Sequence, residues 1–336
     1  MGSTLCNNNR DFIKQAIKED VRIDGRQLYD HRQLSFEFSL DDSSATVRLG
    51  GTRAAAAVAA ALEAPFNDRG REGSLRFSVE LSPMASPTFE SGRMGEDAIE
   101  IARIVERAIK QSGAVDMEAL CVLPGRKVWS LRVDIHILDH CGNLVDAATL
   151  AALAALAAFR KPQVSVGQGE GGGADEIIVH SPDVREPQPL SLHHLPFPIT
   201  FALFEHGAVV AIDPCLQEEA AMEGSMTLVI NPHGEICAVQ KADGVGLDRD
   251  QLMRCARLGT ARAGELAGSL KDALKAHDAA RVAARVRRHA GGAGGAGGAA
   301  DGGGGGGGAK HVVVLRDVDQ ADARLAAIMT GEQRVI

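Results

Sequence analysis

The chain predicts an α+β fold of two pseudo-repeated strand-and-helix layers, followed by a flexible glycine-rich tail. Three observations carry this expectation. Val128–Asp139 alternates for a full strand, with Trp129, Leu131, Val133, Ile135 and Ile137 on one face and Ser130, Arg132, Asp134 and His136 on the other. The turn Asp139-His140-Cys141-Gly142-Asn143 then leads into an alanine-rich helix whose only polar side chains before Arg160 are Asp146 and Thr149. A helix apolar on all sides is buried, and alanine lets it pack close to its neighbours. Finally, an order of strands followed by a helix occurs twice, on either side of the compositional break QGEGGGAD at Gln168–Asp175.

Each element follows from local pattern. Residues 9–19 fit an amphipathic helix with Phe12, Ile13, Ala16 and Ile17 on one face. Strands are expected at Leu34–Leu40, Ala45–Gly50, Ala54–Leu62 and Ser74–Leu81. A helix over Asp97–Lys110 turns Ile101, Ile104, Val105 and Ala108 inward. The core helix ends at Pro162, which cannot continue it. After the break, strands are expected at Glu176–His180, Ile199–Leu203, Ala208–Ile212, Met226–Ile230 and Cys237–Gln240, then a helix from Asp248 to His277. The units are therefore an N-terminal helix and lead-in at 1–29, a first half at 30–165, a second half at 176–278 and a tail at 279–336.

Gly291–Gly308 is nearly all glycine and alanine and cannot offset its ordering entropy. Beyond it, Val312–Leu315 is a short strand-like run. The tail reads either as a chain without fixed structure or as a segment that folds on a neighbouring subunit.

Composition narrows the function. A net charge of −8 excludes a free-standing nucleic-acid binder with a basic surface, so any such contact has to be local and shared. Cys6, Cys121, Cys141, Cys215, Cys237 and Cys255 lack C-x-x-C pairing and read as reduced thiols, with neither a zinc site nor a disulfide framework. No signal peptide or membrane span is expected, which points to the nucleus and cytoplasm. His193-His194 is no metal pair, because adjacent residues on an extended segment face opposite ways. Neither metal nor cofactor is expected. Asp134, His136, Asp139 and Asp146 invite an acidic site, but Asp139 and Asp146 read better as caps of the turn and helix. Arg103 and Arg107 read as a paired surface stripe, and Arg281, Arg285, Arg287 and Arg288 as a helix C-terminus.

Several segments carry a resemblance. VDIHILDHCGNLVDAATLAALAAL, the RIDGR run Arg22–Arg26, EGSLRFSVELSPMASPTFESGR, LCVLPGRKVW, PLSLHHLPFPITFALF and VAIDPCLQEEAAMEGSMTLVIN together resemble the ribonuclease PH superfamily across roughly residues 8–275. Within it they are similar to the RNA exosome ring subunits that lack the phosphorolytic site. The resemblance implies a ribonuclease PH-like fold and a hetero-hexameric ring built with other ribonuclease PH-like subunits. It also implies small RNA-binding cap subunits, a separate processive 3'-to-5' exoribonuclease, RNA threaded through the channel, and residence in nucleus, nucleolus and cytoplasm.

It also implies a degenerate site. Active relatives carry G-T/S-R in the turn before the core helix. Here the hydroxyl and arginine positions fall on Leu144 and Val145. Their two aspartates, six residues apart, fall on Gln217 and Glu223. No catalytic residue is therefore expected, and the competing expectation is an active phosphate-dependent 3'-to-5' exoribonuclease with a rearranged site. RNA contact is expected from Arg69 and Arg71, in the loop that faces the ring channel in this family, with Arg93 as a third candidate. Read without the resemblance, Arg69 and Arg71 are solvated loop arginines.

Overall fold

The computed structural model describes residues 6–90, 95–167, 176–182, 184–291 and 311–314. It opens with α1 (Asn7–Lys18), then β1 (Leu34–Phe38), β2 (Ser44–Leu49), β3 (Thr52–Glu63) and β4 (Ser74–Leu81). α2 (Glu96–Glu106) runs on through a π turn at Arg107–Gln111. β5 (Cys121–Leu123) and β6 (Lys127–Asp139) form a hairpin that feeds α3 (Leu144–Ala158). Short strands β7 (Arg160–Lys161), β8 (Val164–Gly167), β9 (Glu176–Val179) and β10 (Gln188–Pro189) link the halves. The second half holds β11 (Phe197–Phe204), β12 (Val209–Ile212), α4 (Leu216–Ala221), β13 (Gly224–Ile230) and β14 (Ile236–Gly244). α5 (Arg249–Gly291) and β15 (His311–Val314) close the described chain.

The first sheet runs β15-β1-β2-β3-β6-β4, with β5 also on β6, and only β4–β6 pair in parallel. The second runs β12-β11-β13-β14, antiparallel throughout. α3 packs on β2 and β3 on one side and on β11 on the other, so it lies between the two sheets. That position needs a helix apolar all round. Leu150, Leu153, Leu156 and the alanines between them are buried, and each leucine contributes about 1.5–3 kcal/mol by leaving water. The inward row of β6 behaves as its alternation predicts, with Trp129 the most exposed at 5%.

β11 is buried on both faces. Phe197, Ile199 and Phe201 join the central core, while Ala202 and Phe204 meet Ile13 and Ile17 of α1. The amphipathic α1 therefore serves as the outer cover of the second sheet. Phe12 is a correction to the predicted face: it sits off the Ile13–Ile17 stripe and is 66% exposed.

Three further differences matter. α4 was not expected, because six residues bounded by Pro214 are too short to show a period. α5 continues to Gly291, past the predicted end at His277, so Arg281 is no C-terminal cation. It instead lies within reach of Asp42, Asp278 and Glu186. In the tail, His311–Val314 pairs antiparallel with β1 and forms the edge strand of the first sheet. The predicted break at Gln168–Asp175, the glycine run beyond Gly291, and Arg93 lie outside the described residues.

Candidate functional site

β6 ends at the turn Cys141-Gly142-Asn143, where α3 begins. Gly142 has φ +94°, and a Cβ there would lie 2.5 Å from the Leu216 nitrogen, so only glycine fits. The Leu216 N–H donates to the Cys141 carbonyl at 3.1 Å, which brings the start of α4 onto the start of α3. Asn143, the N-cap, is left-handed at φ 54°, a conformation its side chain tolerates better than most.

A buried polar network surrounds this turn. The Asn143 side-chain amide donates to Asp146 Oδ2 and to Asp213 Oδ1, both at 2.7 Å. Asp146 also accepts the Thr200 N–H at 3.0 Å and the Thr200 hydroxyl at 2.7 Å. It therefore ties α3 to β11 rather than capping its helix, correcting the predicted role. Burial pushes Asp146 up to about 6, against the bonds from Asn143 and Thr200.

Asp213 is fully buried and takes the Arg32 backbone N–H and Nε, both at 2.9 Å, and Nη2 at 2.7 Å. Burial opposes its charge, but the Arg32 hydrogen bonds outweigh it and hold the carboxyl well below the usual range. Arg32 also donates to the Cys141 carbonyl at 3.0 Å and the Gly142 carbonyl at 3.2 Å, so its guanidinium is spent on the turn itself.

The decisive contact is Glu219. From α4 its carboxylate accepts the Asn143 backbone N–H at 2.6 Å. This is where the N-terminus of α3 presents free N–H groups and a positive dipole end to an anion. The chain places its own carboxyl oxygen there. Burial pushes Glu219 up to about 7, resisted by the Asn143 N–H and Arg32 and aided by Asp213 and Asp146.

The RIDGR arginines anchor the same region from outside. Arg22, buried, donates Nε to Glu218 Oε1 at 2.8 Å and pairs through Nη2 with Oε2. It also donates to the carbonyls of Ile212 and Asp213 at 2.8 Å each. Arg26 reaches Asp213 at 3.2 Å and Asp24 at 2.7 Å. This motif locks the N-terminal segment onto the strand-to-helix corner of the second half.

The positions matched to the family aspartates are elsewhere. Gln217 is exposed, and Glu223 pairs with Lys14 of α1 at 2.8 Å and accepts the His206 N–H at 2.8 Å. The acid that reaches the turn is Glu219, which residue matching missed; its signal was the paired Glu218-Glu219 of a short helix. Asp134 and His136 do not join the site either. They pair with Arg132 at 2.9 Å and Glu80 at 3.2 Å on the open face of the first sheet. Among the described residues no group of three or more His, Cys, Asp or Glu side chains is placed to hold a metal ion. None of their helices is long and apolar enough to cross a membrane.

The predicted RNA-contacting loop lies at the other end of β6. Arg69 is 71% exposed with Glu72 at 3.4 Å, and Arg71 is exposed. Phe66, which the sequence reading passed over, is 61% exposed and its carbonyl accepts the Arg69 N–H at 3.0 Å.

Two sheets around a buried alanine-rich helix, with a polar corner at that helix's start, define the ribonuclease PH type of fold. The chain belongs to the 3' exoribonuclease family: the model of its domain 1 matches residues 30–162 and that of domain 2 matches residues 194–262. It is 45% identical to exosome complex component RRP45A of Arabidopsis thaliana, over 85% of this chain and 92% of that one. It is 41% identical to human exosome complex component RRP45 over 81% of this chain, and spans 60% of that longer protein. Among solved structures it resembles a chain of the Archaeoglobus fulgidus exosome with RNA bound to the active site. There the TM-score is 0.66 and the identity 30%, covering 78% of this chain and 97% of that one. A chain of an archaeal exosome core gives a TM-score of 0.63 at 28% identity, covering 79% of this chain and 97% of that one.

Proposed function

We propose that this chain is a non-catalytic structural subunit of an RNA exosome core, pairing with other ribonuclease PH-like subunits in a hetero-hexameric ring that threads RNA. The relatives named above support membership of the complex. One observation carries the non-catalytic reading: Glu219 already occupies the anion position at the start of α3, at 2.6 Å from the Asn143 nitrogen. A phosphate dianion placed there would meet a carboxylate, with Leu144 and Val145 where a hydroxyl and an arginine would be needed. The active-enzyme alternative is not favoured.

RNA contact belongs to the exposed loop. Arg69 and Arg71 meet phosphates, and Phe66 offers a face on which a base stacks, a pairing that reads no sequence. Small RNA-binding cap subunits and a separate processive 3'-to-5' exoribonuclease complete the assembly, which works in nucleus, nucleolus and cytoplasm. Imaging of the tagged chain checks the location. Co-expression with ribonuclease PH-like exosome subunits, followed by native mass measurement, tests the core reading. A hetero-hexamer containing this chain is expected, and a chain that stays monomeric beside those subunits contradicts it.

A further inference from the structure

The two sheets treat their edges differently. In the second sheet, β14 carries Lys241, and its pairing with β13 slips register between Gly224 and Met226 and again between Val229 and Ile230. Bulges and an edge lysine both hinder pairing with a further strand. β1 of the first sheet has neither device. Leu34–Phe38 holds no proline and no lysine, Glu37 is its one charge, and its pairing with β2 runs without a slip. A straight, largely apolar edge of that kind is a template for another strand.

What covers this edge is β15. Ser35 is opposite Val314, Phe36 opposite Val313, Glu37 opposite Val312 and Phe38 opposite His311, again without a slip. The approach is prepared at the Phe38 end. Asp42, in the turn that follows β1, lies 2.7 Å from His277 Nε2 and 3.6 Å from Arg281 Nη1. The buried His277 ring packs on Phe38, with centroids 5.1 Å apart. α5 is thereby fixed beside the end of β1 at which β15 begins. From Arg281 the helix rises about 15 Å to Gly291. Residues 292–310, glycine and alanine except Asp301 and Lys310, span up to about 60 Å when extended, more than that rise requires for the return to Phe38.

We infer that the outer edge of β1 is a strand-pairing surface that the chain keeps occupied with its own tail. The segment it fits is extended, β-branched and uncharged, and Val312-Val313-Val314 has that chemistry. With the tail strand lost, the edge pairs with β1 of a second copy, because an antiparallel pair of identical edges is self-complementary. The tail strand therefore guards the first sheet against edge-to-edge association, kept at hand by its tether. This inference stands apart from the ring-subunit reading.

The test uses the full chain with Val312→Pro and Val313→Pro combined. Successive N–H groups of a strand point to opposite sides, so the pair removes whichever one faces β1. At low protein concentration, hydrogen exchange should show lost protection in Leu34–Phe38 while β6, in the middle of the sheet, stays as protected as in wild type. At high concentration, native mass measurement should give twice the wild-type mass. An excess of a synthetic peptide spanning Lys310–Arg316 should reverse both results. Val312→Thr with Val313→Thr keeps the N–H groups and the β-branched shape, and should behave as wild type. A second full-chain variant, Val312→Gly, Val313→Gly and Val314→Gly, repeats the test through strand propensity alone. Wild-type protection of Leu34–Phe38 in both disrupted variants overturns the inference. So does lost protection with a mass that stays at the wild-type value at every concentration.

Discussion

The two ends of β6 make opposite use of polar residues. They lie about 40 Å apart along the 13-residue strand. At its C-terminal end, Asn143, Asp146 and Asp213 are almost wholly enclosed and bonded to one another, with Glu219 closing the helix start from the next element. At its N-terminal end, Arg69 and Arg71 stand in solvent, Arg69 with Glu72 at 3.4 Å. The start of α3 is met by a carboxyl group of the chain itself, whereas the other end leaves cations at an open surface.

The closed end can be broken outright. Arg22→Ala leaves Glu218 buried without its partner and two carbonyls without their donor, and should cost about 3–5 kcal/mol by chemical denaturation. Gly142→Ala should cost about 1–3 kcal/mol or abolish folding, because a left-handed alanine would also collide with the Leu216 nitrogen.

A smaller effect sharpens the comparison. With Glu219 raised to about 7 from an ordinary 4.5, the folded chain holds a proton that the unfolded chain has released. Its contribution is thus fully present below about 4.5 and is lost as pH rises through 7. Glu219→Gln keeps the acceptor for the Asn143 N–H and removes the titration. Its stability relative to wild type should therefore rise by about 2–3 kcal/mol between pH 5 and pH 8. Parallel denaturation curves at both pH values check this; no change in the difference would place the shift elsewhere. The open end should be the least sensitive, with the Arg69→Ala, Arg71→Ala double variant staying within about 0.5 kcal/mol of wild type while its RNA affinity becomes less salt-dependent.

The elements were legible wherever period and length agreed. The alternation of Val128–Asp139 and the apolar run after it place β6 within one residue of its observed bounds and the start of α3 within two, while α3 ends at Ala158, short of Pro162. The short α4 left no period, and β15 pairs with β1 at the far end of the sequence, which no local pattern reports. The site was legible in one respect only. Leu144 and Val145 carry the expectation of a degenerate site, but nothing local says that Glu219 would fold back onto Asn143 or that Asp146 would bond to Thr200. Those contacts come from packing α4 and β11 against α3. Arg22 and Arg26 were read as a family signature; their structural reason, a clamp on Asp213 and Glu218, appears only in three dimensions.

Phosphate-dependent shortening of RNA by the isolated chain tests the central claim most directly. With the start of α3 filled by Glu219, no release of nucleoside diphosphates is expected at any phosphate concentration. Release that needs phosphate and disappears in Glu219→Ala would show that the carboxylate is part of a working site and would contradict the account.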